Sequence, residues 1–265
     1  MIRLLFLLPL LSFSLYAKDV SLDKNLIPKS KDSFLNFSKE YLYEEVKSAM
    51  GDGSSRWLSK YLFYYDEKTA DSLYELASSN KLVVNKYKNE RVNIRGKLYS
   101  VEVVDEGVVF VLGAFVGDNK GYILSLFDKA DKRMLQMSSG DKISVRCNIL
   151  SGNSNKFVVT NNCVFKEDHI NDVYNMLFNK ISEDFKTNDV KVSYYLESEI
   201  AFVYKLYESK FEKLCSNKHR CYEAINFIRN EKETPGYVKG SLKEKIIKFS
   251  EENIGKYKEV IPNVN

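Results

Sequence analysis

"RVNIRGKLYSVEVV", residues 91–104, alternates apolar and polar side chains, but not in one phase. Val92, Ile94 and Leu98 share one side against Arg91, Asn93, Arg95 and Lys97; beyond Gly96 the apolar set moves to Tyr99, Val101 and Val103. Successive strand side chains point to opposite faces, so a one-residue slip beside a glycine marks a bulge or bend within one long strand. Four more strand-length runs follow: GVVFVLGAF (107–115), GYILSLF (121–127), KISVRCNIL (142–150) and NKFVVTNNCVF (155–165). Between the third and fourth strands lies the link DKADKRMLQMSSGD (128–141), which supplies Met134, Leu135 and Met137 before a turn at Gly140. A long bent first strand, four shorter ones and a single connection between the third and fourth is the plan of a small Greek-key barrel.

On both sides of this block the period is 3.6. Phe34, Phe37, Tyr41 and Leu42 predict a helix over 31–50 that ends at Gly51 and Gly53, and TADSLYELASSN (69–80) predicts a second. After Lys166, one helix is lined by Val173, Leu177, Ile181 and Phe185, and a longer one by Leu196, Ile200, Val203, Tyr207, Phe211 and Leu214. Tyr222, Ile225 and Ile228 start a third that stops before Pro235-Gly236. A last helix opens with Ser241 and Glu244 in capping-box spacing and carries Leu242, Ile246 and Phe249. The fold class expected is α+β: a five-stranded barrel (81–167) between an N-terminal helical region (18–80) and a C-terminal helical region (168–265).

The run NKLVVNKYKNERVNIRGKLYSVE, with GYILSLF, SSGDKISVRCNI and VTNNCVF, resembles the OB-fold domain of exported bacterial proteins of the tRNA-anti-like family. The features that carry the likeness are Asn80, Lys86-Tyr87-Lys88, Val92 to Gly96, Gly140-Asp141 and Asn162-Cys163; Val84-Asn85 departs from the Ala-Asp usual before the Lys-Tyr turn. The likeness covers about residues 78–167 and implies an OB-type barrel. It does not imply RNA binding, because a fold hosts many functions.

The chain opens MIRLLFLLPLLSFSLYAKD, with one arginine, an apolar run from Leu4 through Leu11 and Ala17 before Lys18. That is the layout of a secretory signal (1–17), since a membrane span needs about 20 apolar residues. Leu15, larger than usual three residues before the cut, leaves an uncleaved anchor as the rival. No apolar run in the rest of the chain is long enough for a span. The expected compartment is the bacterial periplasm or the outside medium.

Four cysteines, Cys147, Cys163, Cys215 and Cys221, suit disulfides in an oxidising compartment. Cys147 shares phase with Val145 and Ile149, and Cys163 with Val159 and Phe165, so both point to the core. They lie opposite one another if the turn centres on Asn155, and diagonally if it centres one residue earlier. A bond between them is the expectation, with two reduced buried thiols the rival. Cys215 and Cys221 would pin a helical corner. His219 between them completes no zinc set, because two cysteines and one histidine, with no second CxxC or nearby HxxxH, fall short of four ligands.

Net charge is +4, with acids interspersed among bases, a pattern typical of a solvated surface. No catalytic constellation is legible: His169 and His219 stand alone, GDGSSRW (51–57) lacks the ending of a phosphate loop, and adjacent acid pairs lie on helices. No enzyme, cofactor or metal is expected. The functional expectation is a non-catalytic exported binding module that docks an envelope protein or a cell-wall component. The alternative is single-stranded nucleic-acid or oligosaccharide binding in the OB groove, which would bring Arg91, Arg95, Tyr122, Arg146 and Lys156 to one face. Strand 107–115, with neither a base nor polar alternation, speaks against that alternative.

Overall fold

The computed structural model describes residues 20–51, 67–79, 91–104, 107–129, 131–154, 157–187, 189–230 and 242–257. The chain runs β1 (Val20–Ser21), α1 (Lys31–Gly51), β2 (Glu67–Thr69), α2 (Ala70–Ser79), β3 (Arg91–Val104), β4 (Gly107–Val116), β5 (Asn119–Phe127), β6 (Lys142–Ser154), β7 (Phe157–Phe165), α3 (Lys166–Asp184), β8 (Lys191–Val192), α4 (Tyr195–Leu206), α5 (Glu208–Leu214), α6 (Lys218–Asn230) and α7 (Leu242–Asn253).

Strands β3 to β7 close into a barrel in the order β3-β4-β5-β7-β6, with β6 returning to β3. The β5–β7 pairing is parallel and the other four are antiparallel. One long strand serves both ends of the closure: Arg91 to Lys97 pairs with β6, and Lys97 to Val104 pairs with β4. The hand-over needs the bulge that the phase slip announces, and the register shifts between Leu98 and Ser100. Val92, Ile94 and Leu98 are buried as expected. Tyr99 and Val103, by contrast, are 50% and 76% exposed. The bulge turns Tyr99 outward instead of passing it to the core, and Val103 lies near the strand's open end.

The mouth of the barrel is stopped by α2, which approaches all five barrel strands. Ala70, Leu73, Tyr74 and Ala77 join the barrel core around Ile94, Phe110, Leu112, Ile123, Val145 and Val158. Gly121 accommodates this helix: a side-chain carbon there would overlap the Tyr74 ring. β2 pairs parallel with Asn93 to Arg95, the stretch of β3 before its pairing with β4 begins, and leads straight into the stopper. The N-terminal helical region therefore divides, with α2 packing in the barrel and α1 elsewhere. The link after β5 makes one 3₁₀ turn, Met134–Gln136, whose Met134 is buried in the barrel core.

A second core joins α1, α3, α4, α5 and α6 through Phe34, Phe37, Leu42, Val46, Val173, Leu177, Ile181, Ile200, Tyr204, Phe211, Ile225 and Ile228. Phe37 and Phe211 rings meet at 4.3 Å, and Phe34 and Phe185 at 4.4 Å. Two expectations change here. The long helix through Leu196 and Leu214 is two helices, because Tyr207 leaves helical geometry (φ −131°, ψ 24°) and Glu208 instead accepts from the Lys29 backbone N–H at 2.9 Å. Tyr222, placed on an apolar stripe, is 39% exposed. Beside this core the short strand β1 pairs antiparallel with β8.

Two disulfides form, Cys147–Cys163 and Cys215–Cys221. Arg146 pairs with Val164 and Asn148 with Asn161, so Cys163 and Asn162 together oppose Cys147 in a bulge. Asn162 takes φ +49°, and the two Cys147–Cys163 Cα atoms are 4.2 Å apart. The opposed register is the one realised. The second bond closes the corner between α5 and α6, where Asn36 Nδ2 on α1 donates to the Cys215 carbonyl at 2.9 Å.

Candidate ligand-binding face

The outward side chains of β4 are Val109, Val111, Gly113 and Phe115; those of β5 are Lys120, Tyr122, Leu124 and Leu126; on β7, Phe157 and Val159 continue the face. The valines and leucines are half-buried, and Phe115 and Phe157 are 61% and 38% exposed. Gly113, Tyr122 and Phe157 stand in one row across three strands. The ring of Tyr99, turned outward at the bulge, meets Tyr122, with centroids 5.2 Å apart, while the space beside Gly113 is taken by the Phe115 ring. Tyr122 in turn stacks on Phe157, at 5.9 Å and 23° between planes. The result is a continuous aromatic row spanning β3, β5 and β7.

Lys120 sits among these rings, its Nζ 4.7 Å from the Tyr99 centroid, 5.4 Å from Tyr122 and 6.0 Å from Phe115. Its pKa is raised, first through a hydrogen bond with Tyr122, so it stays cationic. Beside the row, Arg95, Lys97 and Lys142 share a cleft of about 560 Å³ with Tyr99, Phe115, Gly113, Gly140 and Asp71. Lys97 and Lys142 are directly opposed across β3 and β6, an arrangement that costs energy unless an anion comes between them. One oxygen of Asp71, an acid of this cleft, accepts from the Phe115 N–H at 2.7 Å.

The five residues expected to converge do not all meet. Arg95 lies in the basic cleft and Tyr122 in the ring row, joined through Tyr99. Arg91 and Arg146 face α3 instead. Arg146 is only 8% exposed, and both guanidinium groups act on His169. Burial first, then these two charges, pushes the imidazole down to about 4. Arg146 points outward from the barrel, as its phase requires, but α3 covers that side, so it is no part of an open groove. Lys156 lies outside the described residues. Sequence reasoning missed Tyr99, Phe115, Lys120 and Phe157. The phase slip could have located Tyr99, but Lys120 gains its place only from the β4–β5 pairing.

The barrel meets the helical module at Arg133. Its guanidinium bonds to both Asp131 and Asp168 and stacks 4.5 Å from the Phe165 centroid, fixing the start of α3 against β7. Among the described residues no group of three or more histidine, cysteine or acidic side chains is arranged to hold a metal, and no helix is long and apolar enough to cross a membrane.

Barrel order, parallel closing pair and bulged first strand define the class: an OB-type barrel within an α+β chain. The chain matches no protein-family model and no curated protein.

Proposed function

We propose that the protein is an exported, non-catalytic binding module whose barrel takes single-stranded nucleic acid across the outer faces of β4, β5 and β7. The observation that carries this reading is the Tyr99, Tyr122 and Phe157 row with Lys120 among its rings. Bases stack on exposed rings regardless of sequence, and phosphates are drawn to cations flanking the stack. Arg95, Lys97 and Lys142 supply that flank. Two disulfides agree with export, because such bonds persist in oxidising compartments.

Docking of an envelope protein or a cell-wall component is the second reading, favoured by the half-buried Val109, Val111, Leu124, Leu126 and Val159 on the same face. Fluorescence anisotropy of labelled single-stranded DNA and RNA, with the oxidised protein at low and near-physiological salt, separates the two. Binding that weakens steeply with salt and falls roughly 5- to 150-fold in Tyr122→Ala supports the nucleic-acid reading, since a stacked base is worth about 1–3 kcal/mol. No binding at low salt overturns it and leaves protein docking.

A further inference from the structure

A second cleft, of about 660 Å³, lies in the helical module. One wall is α1, which presents Glu40, Tyr43 and Glu44 on one face, the 3- and 4-residue spacing that brings helical side chains together. Opposite stands Tyr174 of α3, and the rim is Asn217, Lys218, His219 and Tyr222 from the corner closed by Cys215–Cys221.

The chemistry is graded with depth. The Tyr43 and Tyr174 rings meet at 5.3 Å and 87°, so they form two faces of a corner. Glu40, 13% exposed, lies beside them. Ring faces carry negative potential and attract cations, the more so when a carboxylate is near. The protein's own lysines already respond. Lys47 Nζ stands 5.8 Å over the Tyr43 ring, and Lys218 Nζ stands 3.8 Å from Glu40 Oε1. Neither contact is tight, and the Lys218 side chain is 80% exposed. An incoming cation would displace such partners at little cost. The disulfide and the Asn36 bond to Cys215 hold the rim in place before any ligand arrives.

The geometry points to this corner as a binding site for a small organic cation, an ammonium or quaternary ammonium group seated between Tyr43 and Tyr174 against Glu40. Such a group has two sources, a free amine or the lysine side chain of a partner protein. Lys39, Lys218 and His219 at the rim favour ligands that carry an acid group beside the cation.

The test is a titration of the full mature chain, followed by proton and carbon NMR of its tyrosine rings, with tetramethylammonium chloride and separately with N-acetyl-lysinamide. Saturable shifts of Tyr43 and Tyr174 with either probe below about 10 mM support the site. Saturation with tetramethylammonium assigns it to free cations, and saturation with N-acetyl-lysinamide alone assigns it to a lysine side chain. Tyr43→Leu and Glu40→Gln should each weaken binding about tenfold, while Tyr43→Phe, which keeps the ring face, should retain it. Absence of saturable shifts with both probes, or equal binding by Tyr43→Leu, overturns the proposal. A thermal melt of each variant distinguishes lost binding from lost fold.

Discussion

Two carboxylic acids sit inside the helical module on α4, Glu197 at 2% and Glu199 at 3% exposure. Burial raises Glu199 to about 7; a hydrogen bond with Tyr195 opposes the shift, and the Glu45 charge on α1 adds to it. Glu197 is raised as well, by burial first and then by Asp184, while the Tyr194 backbone N–H and Lys180 oppose the rise. A group whose pKa is raised by folding stabilises fully below its unfolded value, and that contribution is lost as pH climbs through the folded value. For Glu199 the window runs from the ordinary 4.5 to about 7. At about 1.4 kcal/mol per pH unit, deprotonation of the unfolded chain removes about 3 kcal/mol across it. In a chain of this size that lowers Tm by roughly 6–12 °C. The assay is far-UV circular dichroism melting from pH 4.5 to 9 at constant ionic strength, for the wild type and Glu199→Gln. The Tm difference between them should change by that amount across the window and then level off. A difference independent of pH would refute a buried, protonated Glu199.

The acid limb should behave oppositely. His169 is held near 4, so stability present above about 6.5 is lost as pH falls towards 4, and His169→Gln should flatten that fall in the same melts. Replacing Cys147 and Cys163 by alanine, partners 16 residues apart, should cost about 3 kcal/mol, and the same change at Cys215 and Cys221, six apart, about 2 kcal/mol, read as shifts in urea midpoint. Gly121→Ala drives a side chain into the Tyr74 ring and should destabilise the barrel by roughly 1–3 kcal/mol or more; near-wild-type melting would mean that α2 can shift away.

The barrel was legible because its rules are local. Alternation gave the strands, the phase slip beside Gly96 gave the bulge found at Leu98/Ser100, and phase gave the inward direction of both hairpin cysteines. Features set by tertiary contact were not legible. The TADSLYELASSN pattern predicts a helix, but only the fold shows that Leu73 and Tyr74 stop a barrel. Arg146 has the phase of a surface residue, and nothing nearby in sequence announces that α3 lies over it. Half of the candidate face was visible in Arg95 and Tyr122. The other half depends on register: Lys120 reaches Tyr99 only because β3, β4 and β5 align Lys97, Gly113 and Tyr122 in one row.

The two cores are threaded through one another along the chain. α1 belongs to the helical module, β2 through β7 with α2 belong to the barrel, and α3 onward returns to pack on α1. The barrel is thus an insertion, and its host is a discontinuous domain whose first helix must wait for more than a hundred residues of later sequence before it finds a partner. A chain emerging in order can complete the barrel while α1 still exposes Phe34, Phe37 and Leu42. It follows that a chain cut directly after β7 keeps the barrel but strips α1 of its partners, whereas excising 67–165 and bridging the cut removes one unit and spares every α1 contact with α3 to α6.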